Sequence, residues 1–94
     1  MSISDQFVDY LENHKFNIFD SVETTPEGII YNWETDFSFT KVFIHNNESI
    51  IELSVDMFSG RHDGGLYKNI NDDLFFCYLS HYTDSNVCKC NFCV

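Results

Sequence analysis

Positive charge is what this sequence has least of. Five Lys and Arg stand against fifteen Asp and Glu in 94 residues, a net charge of −10 with His neutral and a pI near 4.4. Duplex DNA, RNA and anionic membrane surfaces all reward Lys and Arg, so this balance argues against direct binding to any of them. The longest apolar run, Leu74 to Leu79, is six residues, far short of the roughly 20 that a membrane-spanning helix needs. The opening MSISDQFVDY has neither a basic stretch nor an apolar one, so it does not read as a secretory signal. A cytoplasmic setting is the expectation, the host cytoplasm if the protein is viral, with the four cysteines as thiols or metal ligands rather than disulfides. Glycine and proline are sparse, four and one, and no linker, repeat or low-complexity segment appears.

Aromatic residues, by contrast, are abundant. Ten Phe, five Tyr and one Trp, within 44% hydrophobic residues, mark a globular chain with a heavily packed core. The length fits one domain over residues 1–94.

Hydrophobic spacing predicts an N-terminal helix ending near Lys15. Ile3, Phe7, Tyr10, Leu11 and His14 form its apolar stripe, and Ser4 is the candidate N-cap with Asp5 in the first turn. The period then changes to two. Phe16, Ile18 and Val22 alternate with polar residues, and Thr25-Pro26-Glu27-Gly28 is a turn signal. Ile29, Tyr31 and Trp33 make a second strand, and Phe37, Phe39 and Phe43 share one face of a third. After a turn at Asn46-Asn47, Ile51, Leu53, Val55 and Met57 oppose Glu52, Ser54 and Asp56 in a fourth strand. Short connections favour an antiparallel meander.

Ser59 to Gly65 reads as a loop by composition. Leu74 to Tyr82 fits either a helix capped by Asn71 or a buried strand, and its aromatic content favours the strand. That strand would pair with Val87 to Val94 as a C-terminal hairpin. The expected fold class is therefore α+β, one N-terminal helix packed on an antiparallel sheet of about five or six strands.

Charge is unevenly placed. Residues 1–60 carry eleven acids and two bases, net −9, whereas residues 61–94 carry four acids and three bases, net −1. Glu52 and Asp56, about 13 Å apart on one strand face, anchor a candidate acidic face that Asp20, Glu23, Glu34 and Asp36 extend. Carboxylates fixed on a sheet imitate a phosphate line and occupy a basic groove meant for nucleic acid. The expected partner is a protein with a basic surface, such as a nucleic-acid-binding enzyme, met by a monomer or homodimer.

The alternatives rest on other residues. Cys77, His81, Cys88 and Cys90 offer the ligand types of tetrahedral zinc, but one CxC and one CxxC sharing Cys90 make a poor knuckle, and small buried thiols explain them as well. Arg61-His62-Asp63 with two glycines is the best acid–base candidate. No nucleophile motif or phosphate loop accompanies it, so no enzyme activity and no cofactor are expected. Small size, acidity and this Asn-, Ile- and Phe-rich vocabulary suggest a viral or phage-type inhibitor of a host factor. The rival is a small acidic chaperone or adaptor binding a client through exposed Phe37, Phe39 or Tyr82.

Overall fold

The computed structural model describes residues 3–16, 18–46 and 50–83. In chain order these form α1 (Ile3–Asn13), β1 (Ser21–Thr25), β2 (Gly28–Glu34), β3 (Ser38–His45), β4 (Ile51–Met57), β5 (His62–Tyr67) and α2 (Asp73–Thr83). The five strands make one antiparallel sheet in sequential order, a meander with both described helices on the same face. None of the described helices is long and apolar enough to cross a membrane.

α1 follows the helical spacing of its apolar residues. Phe7, Tyr10 and Leu11 are buried, while Asp5, Asp9 and Glu12 lie on the exposed side. Ser4 is not the cap; it lies inside the helix, and its hydroxyl is hydrogen-bonded to the Tyr31 phenol. The helix ends in a Schellman arrangement. The Phe16 N–H bonds Leu11 O at 3.0 Å and the Lys15 N–H bonds Glu12 O at 3.2 Å, with Lys15 left-handed at φ 58°.

Across the sheet, the register places Tyr31, Val42 and Leu53 in one helix-side row and Trp33, Thr40 and Val55 in the next. Phe7 is fully buried over them, its ring 5.0 Å from Tyr31 and 6.2 Å from both Trp33 and Phe75. On β3 the buried residues are Ser38, Thr40, Val42 and Ile44. Phe39 and Phe43 do share a face, but it points away from both helices.

Two expectations fail in the C-terminal part. First, the segment read as loop through Gly65 pairs from His62 onward with β4. Gly64 is there because of a close approach: a Cβ on it would lie 2.1 Å from Leu53 O, and its φ is 145°. Second, Leu74–Tyr82 is helix rather than strand, so the C-terminal hairpin loses its first arm; its second, Val87–Val94, lies outside the described residues. Asp72, one residue beyond the expected Asn71, caps this helix. Its Oδ1 accepts the N–H groups of Leu74 at 2.9 Å and Phe75 at 3.3 Å. Phe75, Leu79 and Tyr82, at helical spacing, are buried against the sheet.

Candidate functional site

Strand alternation turns every second side chain of the meander away from the helices, and the register arranges these in rows. One row reads Glu23, Ile30, Phe43, Glu52, Leu66; the next Ser21, Asn32, Lys41, Ser54, Gly64; the third Glu34, Phe39, Asp56, His62. At about 4.8 Å between strands, Glu23 and Glu52 stand ~14 Å apart and Glu34 and Asp56 ~10 Å apart. Along β4, Glu52 and Asp56 are separated by about 13 Å. Four carboxylates thus stand at the corners of a trapezoid, with Glu23 on β1, Glu34 on β2, and Glu52 and Asp56 on β4. Its floor is Ile30, Phe39 and Phe43, all half-buried, around a single Lys41.

The face is mixed in charge as well as polarity. Lys41 Nζ sits 5.6 Å from the Phe39 ring centroid, a cation–π contact. Glu52 Oε1 is 3.5 Å from His45 Nε2, and His45 in turn stacks on Phe43 with ring centroids 4.3 Å apart. Asp56 is hydrogen-bonded to His62 Nδ1. A shallow hollow of about 230 Å³ opens among Ile30, Lys41, Phe43, Glu52 and Ser54.

Of the six nominated acids, Glu23, Glu34, Glu52 and Asp56 belong to this face. Asp20 and Asp36 lie at its end instead. Asp20 Oδ2 accepts the Glu34 N–H at 2.5 Å, and Asp36 is exposed in the turn between β2 and β3. Acidity extends to the far side of the molecule through Asp5, Asp9 and Glu12 of α1. Among the nominated aromatics, Phe37 is 47% exposed and Phe39 half-buried on the outer face, whereas Tyr82 is buried.

The Arg61-His62-Asp63 cluster is divided by the pleat. His62 points to the outer face and Asp56, while Asp63 points to the helix side. There a polar hollow of about 210 Å³ is lined by Arg61, Asp63, Tyr78, His81 and Tyr82. The Tyr82 hydroxyl donates to Asp63 Oδ2 at 2.5 Å, and Arg61 lies 3.7 Å from the same oxygen. The Tyr82 hydrogen bond, joined by the Gly64 N–H and the Arg61 charge, holds the Asp63 carboxyl below its usual range. Burial and this contact push the Tyr82 phenol up to about 12. Sequence reasoning missed this tyrosine–carboxylate pair because it joins residues 19 apart across two elements.

Cys77 and His81 are one helical turn apart on α2, while Cys88 and Cys90 lie outside the described residues; among the described residues no three ligating side chains gather. No protein-family model, curated protein or solved structure matches this chain.

Proposed function

We propose that this chain is a non-catalytic binding protein of the host-factor-inhibitor kind, whose outer sheet face docks on the basic, nucleic-acid-binding surface of another protein. One observation carries the reading: Glu23, Glu34, Glu52 and Asp56 are held on one open, hydrogen-bonded sheet face around an apolar floor. A protein interface has this anatomy, an apolar centre within a polar rim. The net charge of −10 adds long-range steering towards a cationic partner, and salt screens it.

The test is retention of host proteins on the immobilised chain at low and high salt. A partner held at 50 mM NaCl, released by a few hundred millimolar, and lost from the Glu52→Lys/Asp56→Lys variant supports the proposal. Equal retention by the folded double variant overturns it.

The apolar floor also favours a second reading, an adaptor that grips a client through Ile30, Phe39, Phe43 and the 68% exposed Leu66. Retention that survives 1 M NaCl and is lost in Phe39→Ser/Phe43→Ser selects it.

A further inference from the structure

The two edges of the sheet are unlike each other. β5 is flanked by Arg61 and Lys68, contains Gly64 at φ 145°, and is tied to α2 through Asp63 and Tyr82. Charged residues and distorted backbone of this kind keep an edge from pairing with another chain. β1, Ser21–Thr25, has no Lys and no Pro, and among the described residues nothing pairs with its outer side.

Its free hydrogen-bonding groups can be assigned. Pro26 and Glu27 make a two-residue connection, so Thr25 and Gly28 close the hairpin as a hydrogen-bonded pair. Alternation then commits Ser21, Glu23 and Thr25 to β2 and turns the N–H and C=O groups of Val22 and Thr24 outward.

The helix layer stops short of this edge. Val22 is 51% exposed although its register partner Tyr31 is buried, and Ile18, leading into the strand, is 78% exposed. Beside them an apolar hollow of about 100 Å³ is lined by Val8, Leu11, Glu12, Phe16, Ile18 and Phe19. Phe19 in its lining packs 4.9 Å from the ring of Tyr31, the β2 residue that pairs with Val22.

We propose that the outer edge of β1 accepts an added β-strand from an extended, basic segment of a partner protein, with one apolar side chain of that segment seated in the Val8–Phe19 hollow. Strand addition draws affinity from main-chain hydrogen bonds and selectivity from pockets for alternate side chains, and both lie here side by side. Charge decides the occupant. Residues 12–27 hold Glu12, Asp20, Glu23 and Glu27 against Lys15. A second copy of β1 would bring like charges opposite each other, which destabilises a strand pair, and each copy carries −10. Alternating Lys or Arg with aliphatic residues satisfies both the acids and the hollow. This site shares only Glu23 with the outer sheet face and does not depend on Glu34, Glu52 or Asp56.

The experiment uses the full chain and an eight-residue peptide alternating Lys and Val, followed by titration calorimetry and amide hydrogen exchange. Binding with slowed exchange at Val22 and Thr24 is expected. Thr24→Pro removes one outward N–H and spares the pairs with β2, and Ile18→Lys fills the hollow's mouth with like charge to the peptide. Each should weaken binding at least tenfold, while Glu52→Lys/Asp56→Lys changes it less than threefold. A peptide methylated on alternate nitrogens should bind at least tenfold more weakly. No binding, equal binding by the methylated peptide or by folded Thr24→Pro and Ile18→Lys, or protection mapping to β4 overturns the proposal. So does a concentration-dependent dimer that the peptide leaves intact.

Discussion

The Tyr82 hydroxyl donates to Asp63 Oδ2 at 2.5 Å and so fastens the last turn of α2 to the edge strand β5. The contact has consequences at both ends of the pH scale. Asp63 titrates below its ordinary value in the folded protein, chiefly because of this hydrogen bond, so its stabilisation is present above about pH 4 and lost as pH falls through the folded value. Tyr82 is displaced upward, from 10.0 to about 12, so its contribution is complete below pH 10 and lost between pH 10 and about 12. Tyr82→Phe should lower stability at pH 7 by about 1 kcal/mol, after discounting for the partial exposure of Asp63. It should also shrink the losses at both extremes, measured by urea unfolding from pH 2 to 11.

Tyr10 behaves differently. Burial pushes its phenol up, and its hydroxyl has no hydrogen-bond partner among the described residues. Removing an unpaired buried hydroxyl while keeping the ring should stabilise. Tyr10→Phe is expected to gain about 1 kcal/mol and to raise the melting temperature by roughly 4–8 °C. Calorimetry checks this, and a lower melting temperature refutes it.

Lys15 holds the left-handed position of the α1 terminus at φ 58°. Glycine takes that conformation without the Cβ conflict, which costs about 1–2 kcal/mol in other residues. Part of the gain is offset by the freer unfolded chain. Lys15→Gly should therefore stabilise by about 0.5–1 kcal/mol in denaturant unfolding, with the outer-face interactions unchanged.

Gly64 offers the opposite case. A methyl group there would meet Leu53 O at 2.1 Å, a backbone atom that cannot swing aside. Gly64→Ala should cost more than 2 kcal/mol, and amide exchange in β5 should accelerate more than in β2.

The N-terminal helix and strands β2 to β4 were legible because burial there imposes clean periods. Phe7, Tyr10 and Leu11 on α1, and Ile51, Leu53 and Val55 on β4, alternate as their elements require. The first strand, expected from the alternation of Phe16, Ile18 and Val22, forms instead at Ser21–Thr25, where the side chains are mostly exposed and leave no period. β5 was hidden because Gly64 and Gly65 resemble loop residues by composition, although one of them is required by strand packing. α2 was misread from its β-prone aromatic run. The decisive signals were quieter: Asp72 as cap, and Phe75, Leu79 and Tyr82 at spacings of four and three. Four of six candidate acids were placed on a common face by strand alternation alone. Asp20 and Asp36 escaped it because a strand end and a turn do not obey the period. The edge of β1 was not legible at all, since an unfilled hydrogen bond leaves no mark on composition.

Trp33, the sole tryptophan, is 2% exposed and edge-on to Phe7 of α1 and Phe19 of the connecting segment, at 6.2 and 6.1 Å. Its indole is therefore a native optical gauge of whether the first helix is seated. Red-shifted emission ahead of any loss of sheet signal would reveal α1 lifting off while the meander stays intact.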